Sequence, residues 1–289
     1  MPSPLLIVDA PFLLYRSFFA LPESITGIEA RPVGALLGAT NALLRIAADR
    51  APRAIVLCFG AEAAQYRVAL YPGYHAARPP VPDALAWQLE AAPDYFASFG
   101  WSSLTNATLE ADDLLGSLAS TEALSGGRAM ILTGDRDMYQ CASEQVTVLY
   151  LKMGKAGVEE VDPAEVRRRY GIGPSLVPDF IALRGDPSDG LPGAPGIGPK
   201  TAADLLARHG SLEAAIAAAG EERPRFAVAL RDSAEELRAF REIATLRTIE
   251  LDRPEDRQTS LGGGALAARR YGIRRLAERL ERAEKLGDL

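Results

Sequence analysis

Short apolar runs, each closed by an acidic residue or a glycine, recur along this 289-residue chain. Leu5-Leu6-Ile7-Val8 ends at Asp9, Ala54-Ile55-Val56-Leu57-Cys58-Phe59 ends at Gly60, and Ala129-Met130-Ile131-Leu132 ends at Thr133-Gly134-Asp135. Unbroken apolar runs of this length, bounded by breakers, read as buried strands, and Val146-Thr147-Val148-Leu149-Tyr150 reads as another. Between them the apolar spacing turns helical, over residues 12–19, 34–48 and 87–99. Strand, helix and strand in this order require crossover connections and hence a parallel sheet. Further on, Asp162-Pro163 marks a helix start, with Asp162 as cap and Pro163 in the first position. Ala-rich packing helices are expected over 202–208, 212–219 and 234–246, and Gly262-Gly263-Gly264 reads as a flexible joint before a terminal helix.

In an open parallel sheet, ligands bind outside the carboxyl ends of the strands, which is where the closing residues fall. Asp135 and Asp137, one residue apart, either cap a following helix or face each other across a cation that prefers oxygen ligands. Glu110, Asp112 and Asp113 crowd the start of an apolar helix that Asn106 or Thr108 is placed to cap, with Glu110 and Asp113 on one face. The helix dipole accounts for one or two acids there, not for all three. Asp186 and Asp189 precede Gly196-Ile197-Gly198-Pro199-Lys200-Thr201, a glycine- and proline-rich loop that opens a helix. Such a turn brings backbone N–H groups and Lys200 up to a phosphate, gripping a strand's backbone without reading bases. Residues 61–82 interleave Tyr66, Arg67, Tyr71, Tyr74, His75 and Arg78 before a Pro-rich stretch, which suits either a base-stacking surface or a plain loop.

A formal net charge of −6 argues at first against a polyanionic partner, but setting aside the eight candidate carboxylates turns −6 into +2. From residue 265 onward seven Lys/Arg oppose four acids, which fits either a solvated helix face or a basic surface. Cys58 and Cys141 form neither a disulfide framework nor a zinc spacing. No stretch approaches the ~20 apolar residues of a membrane span, and no signal peptide precedes Leu5. A monomeric cytoplasmic protein is expected.

Taken in order, Leu6-Ile7-Val8-Asp9, Glu110-Ala111-Asp112-Asp113, Thr133-Gly134-Asp135-Arg136-Asp137-Met138-Tyr139-Gln140, Gly185-Asp186-Pro187-Ser188-Asp189 and Gly196-Ile197-Gly198-Pro199-Lys200-Thr201-Ala202 resemble the bacterial 5′-nuclease family. These are the flap endonucleases and 5′→3′ exonucleases related to the N-terminal domain of DNA polymerase I. The similarity spans roughly residues 4–250. It implies an α/β protein. A PIN-like parallel-sheet domain would span 1–175, with a helical arch over about 61–100. A helical DNA-binding subdomain would span 176–289, with a helix–turn–helix hairpin at 180–208.

The resemblance further implies two or three Mg²⁺ or Mn²⁺ ions. Asp9, Glu110 and Asp112 would serve the first, with Asp113 and Asp135 nearby, and Asp137, Asp186 and Asp189 the second. Arg16, Arg67 and Arg78 match basic positions that steer the scissile phosphate or the threaded strand. Tyr74, His75, Gly196, Gly198, Lys200 and Thr201 match DNA-contacting positions, with K⁺ at the hairpin. The implied activity is hydrolysis of DNA at 5′ flaps, nicks or free 5′ ends in replication and repair.

Three positions depart from the family: Gly60 replaces an Asp, His75 a Lys and Gly190 an Asn. The first removes a metal ligand and the second a cation, so the reading predicts that Gly60→Asp strengthens the first ion site. The same departures motivate an alternative, a DNA-binding paralogue with weakened catalysis. A Mn²⁺-dependent DxD glycosyltransferase is the competitor from another class, but it leaves the acids at 110–113 and the turn at 196–198 without a role.

Overall fold

The computed structural model describes residues 3–152 and 157–287. Strand β1 (Leu5–Asp9) runs directly into α1 (Ala10–Ala20), because Asp9 closes the strand and caps the helix, its Oδ1 accepting from Phe12 N at 3.0 Å. There follow α2 (Gly34–Arg50), β2 (Ala54–Phe59), α3 (Gln65–Leu70), α4 (Asp83–Ala97), β3 (Ser102–Thr105), α5 (Ala111–Leu124) and β4 (Ala129–Thr133). With β5 (Val146–Tyr150) and β6 (Glu159–Val161) they build a six-stranded sheet of order β3-β2-β1-β4-β5-β6. Every pairing is parallel except β5 with β6. The four strands written as apolar runs occupy the centre, where both faces are buried. The edge strands β3 and β6 are short and polar, so no apolar run announces them.

Alternate residues of each strand serve opposite layers. Leu5, Ile7, Val56, Ile131 and Val148 face α5 and the helices that follow the sheet. Those helices are α6 (Pro163–Tyr170), α7 (Val177–Arg184), α8 (Pro199–His209), α9 (Leu212–Ala217), α10 (Pro224–Asp232) and α11 (Ala234–Ala244). Asp162 caps α6 as expected, accepting from Glu165 N at 2.7 Å. Leu6, Val8, Ile55, Leu57, Met130 and Leu132 face the other layer, made by α1, α2, α4 and the last two helices, α12 (Leu261–Arg270) and α13 (Arg274–Leu286).

Three expectations change. Ala265, Ala268, Leu276 and Leu280 pack with Tyr95 and Phe99, so α12 and α13 belong to the sheet's second layer, not to a helical subdomain spanning 176–289. Gly262, Gly263 and Gly264 lie inside α12. A Cβ at Gly264 would stand 2.2 Å from the Phe99 ring, and one at Gly263 2.1 Å from Ser98 O, so these glycines let α12 touch the end of α4 and are no joint. Finally, α4 is a core helix with Leu85, Ala92, Tyr95 and Phe96 buried, so the part of the arch expected over 61–100 that falls on α4 packs into the core. Among the described residues no helix is long and apolar enough to cross a membrane.

Candidate active site

The parallel register aligns Val8 of β1 with Leu132 of β4, which sets Asp9 beside the turn at 133–137. Thr133 joins them: its Oγ1 donates to Asp9 Oδ2 at 2.8 Å and accepts from Asp135 N at 3.0 Å. Asp135 Oδ1 accepts from Asp137 N at 2.8 Å, which aims both carboxyls at the same sheet edge. Opposite, the N-terminus of α5 brings Glu110 and Asp112. The cap residue is Glu110, in a reciprocal box with Asp113, whereas Asn106 only organises the preceding turn by accepting from Thr108 N and Leu109 N. Glu110 Oε1 accepts from Ala64 N at 2.7 Å and Oε2 from Tyr74 Oη at 2.8 Å.

The loop after α7 supplies the remaining pair. Asp186 Oδ1 accepts from Ser188 N at 2.9 Å and from the Ser188 hydroxyl, and Oδ2 accepts from Arg184 at 3.0 Å. Asp189 Oδ1 accepts from Arg78 at 3.1 Å and lies 3.1 Å from His75 Nε2. Thr133 and Arg184 were not among the sequence candidates. Their only signal was position, directly beside Asp135 and Asp186 in the chain.

Proton affinities show how these acids sense one another. Burial pushes Asp9 above the usual carboxylate range, against the hydrogen bonds from Thr133 and Phe12. Asp112 rises well above it through burial and the charges of Asp135, Asp9 and Glu110. Asp137 does likewise, through burial and then Asp135, Asp189, Asp186 and Asp112. Asp135 is pushed up to about 7 by burial first, with Asp189, Asp9 and Asp186 adding. The cluster therefore has two lobes. Asp9, Glu110 and Asp112 form one, Asp137, Asp186 and Asp189 the other, and the two meet where Asp135 feels acids of both and Asp137 feels Asp112.

The donors are carboxylate oxygens throughout, buried or half-buried near one another, and that fits hard divalent cations such as Mg²⁺ or Mn²⁺. Among the described residues no three such side chains stand close enough to enclose one ion as they are.

Two sequence candidates face elsewhere. Asp113 is fully buried and takes Arg67 Nη2 at 2.8 Å and Nη1 at 3.1 Å, as well as Arg247 N at 2.8 Å. Arg67, 3% exposed, also meets Glu110 Oε2 at 3.0 Å and Ile243 O at 2.9 Å. Asp113 is thus a structural anchor rather than a ligand, and Arg67 has no free face for a phosphate. Arg16 donates to Lys152 O at 3.3 Å, while Arg78 stays 42% exposed at the mouth of the cluster. Tyr66, Tyr71 and Tyr74 pack inward, so the interleaved aromatics offer no stacking platform.

Gly60 is set by packing: a Cβ there would stand 2.2 Å from Ala111 N and 2.3 Å from Glu110 C. The start of α5 fills the place of a side chain, so Gly60→Asp would crowd α5 and not strengthen the first ion site. Gly190 (φ +76°) is likewise demanded, since a Cβ would lie 2.6 Å from Gly73 O. At the hairpin, Ile197 is buried while Gly196, Gly198 and Lys200 are exposed, with open space around both glycines, and Thr201 is half-buried. Gly198 precedes α8 as its cap residue.

Residues 4–171 match the 5′-3′ exonuclease N-terminal resolvase-like domain, and residues 172–259 match the 5′-3′ exonuclease C-terminal SAM fold. The chain belongs to the 5′-3′ exonuclease family. It is 35% identical over 314 residues to a 5′-3′ exonuclease of Mycobacterium tuberculosis, covering 98% of each protein. A 5′-3′ exonuclease of Streptomyces coelicolor is 36% identical, over 76% of this chain and 77% of that one. DNA polymerase I of Mycobacterium bovis is 36% identical over 87% of this chain, which spans only 28% of the polymerase's length. In fold, the chain is similar to the T5 D15 protein co-crystallised with metal ions, with TM-score 0.69, 15% identity, and 96% and 98% of the two chains covered. The catalytic core of Rad2 in complex with DNA substrate gives TM-score 0.62 at 15% identity, covering 96% of this chain and 92% of that one. Both family matches stop before α12.

Proposed function

We propose that this protein is a divalent-metal-dependent nuclease that removes DNA from 5′ flaps, nicks and free 5′ ends, acting as a 5′→3′ exonuclease and flap endonuclease. The observation that carries this reading is the two-lobed carboxylate cluster with Asp135 at its junction. Asp9, Glu110, Asp112, Asp135, Asp137, Asp186 and Asp189 would hold the ions, and Asp113 would not. A bound pair of Mg²⁺ or Mn²⁺ supplies an activated water and stabilises the leaving oxygen of a phosphodiester. The chain's own groups bind, orient and neutralise. Arg78, exposed beside Asp189, is placed to meet an incoming phosphate, and Arg16 lies on the helix that Asp9 caps. The exposed Gly196–Lys200 turn would hold backbone phosphates at a distance from the cluster, with or without K⁺, so recognition should be indifferent to sequence and sensitive to salt. Structures of T5 D15 with metal ions and of Rad2 with DNA support the same combination.

The alternative, a paralogue that binds DNA without cutting it, draws support from Gly60, which leaves the first lobe with three acids. A 5′-labelled flap substrate separates the two. The proposal expects flap release with Mg²⁺ or Mn²⁺ and none with chelator. Tight binding without cleavage in either metal favours the paralogue.

A further inference from the structure

Tyr74 and His75 were expected to touch DNA, yet both side chains are enclosed, the first 5% and the second 6% exposed. They stack on each other, ring centroids 3.8 Å apart and planes at 20°. The Tyr74 hydroxyl donates to Glu110 Oε2 at 2.8 Å, in the first lobe. His75 Nε2 lies 3.1 Å from Asp189 Oδ1, in the second lobe, and Nδ1 lies 3.0 Å from Glu62 O. The His75 backbone is bound as well, its N–H donating to Asp189 O at 3.1 Å. It takes a left-handed conformation (φ +56°), which a non-glycine residue keeps only where its surroundings fix it. Gly73 O presses on Gly190 from the other side, where no Cβ fits.

We infer that Tyr74 and His75 are positioning residues. Their stacked rings form a strut that ties down Glu110 and Asp189, one carboxylate from each lobe, and so limits how far either must turn to meet a divalent ion. The inference rests on the metal-centre reading above. A carboxylate free to rotate among mutually repelling neighbours loses entropy when it meets an ion, and a held one has less to lose. Hydrogen-bond partners of metal ligands are worth about 10- to 100-fold in metal affinity. The strut joins both lobes, so cutting it at either ring should weaken ion binding. The same enclosure rules out stacking on a base.

The test is calorimetric titration of the metal-free full-length protein with Mn²⁺, in wild type, Tyr74→Phe, His75→Ala and His75→Asn. Tyr74→Phe keeps the ring and removes only the hydroxyl, so it reports even if His75→Ala folds poorly. The dissociation constant for Mn²⁺ should rise about 10- to 100-fold in Tyr74→Phe and His75→Ala. His75→Asn should recover part of that loss, because Asn tolerates the left-handed backbone and keeps a donor. Affinity for a flap DNA in chelator should stay at the wild-type value. Unchanged Mn²⁺ affinity in Tyr74→Phe overturns the inference and leaves the metal centre standing. Weakened DNA binding in chelator does the same, in favour of direct contact. A wild type that binds no Mn²⁺ overturns the metal centre and the inference together.

Discussion

Asp112 and Asp113 are adjacent in the chain and have opposite duties. Asp112 looks into the carboxylate cluster, while Asp113 turns back to box the start of α5 and hold Arg67. The sequence put three acids at one helix start, but which of them reaches the cluster depends on the cap geometry, and a row of letters does not contain it. Asp113→Ala takes away one of the two buried carboxylates that meet Arg67 and leaves Glu110 as the other, so urea unfolding should show a loss of about 1–3 kcal/mol. Asp112→Asn should keep stability and lose metal affinity instead. Asp135 makes a pH prediction. Its folded value near 7 lies above its ordinary 3.8, so the folded protein keeps a proton that the unfolded chain releases between those limits. Ion-free stability from this group is therefore full below about pH 4 and is lost as pH rises through 7. Asp135→Asn abolishes the effect. Its melting temperature should match wild type near pH 4 and exceed it at pH 8 in chelator, and an excess confined to acid pH would refute the assignment.

Elements were legible where one physical signal dominated. The central strands, the capped helix at Asp162 and the helices over 12–19 and 34–48 were written in apolar period or cap chemistry. Strands β3 and β6, polar and at the edges, carried no such period, and α10 was not anticipated at all. Glycine misled most, because freedom of backbone and want of space look alike in a sequence. Gly60 and Gly264 exist for close approach, whereas Gly198, with ordinary φ and open surroundings, does not. Gly60→Ala and Gly264→Val should each cost about 1–3 kcal/mol by overpacking. Gly198→Ala should change stability by less than about 0.5 kcal/mol. A denaturant series on the three variants checks the ranking.

Across the whole molecule, a chain of net charge −6 gathers seven of its 38 acidic residues in one cluster, and a polyanion would have to approach by way of basic side chains elsewhere. Lys200, exposed at the hairpin, should contribute one ionic contact. Lys200→Ala should weaken DNA binding alike at every sequence and flatten its salt dependence by about one unit of slope, which binding isotherms at several salt concentrations would measure. The last two helices lie beyond both family matches, yet they close one face of the sheet around Tyr95, Phe96 and Phe99. The central claim is that the two lobes meeting at Asp135 hold the ions. Anomalous diffraction from crystals grown in Mn²⁺ tests it directly. The account predicts ordered ions bound by carboxylates of both lobes, with Asp135 among the ligands and Asp113 not. No ion among these carboxylates at saturating Mn²⁺, or one seated on Asp113, would contradict it.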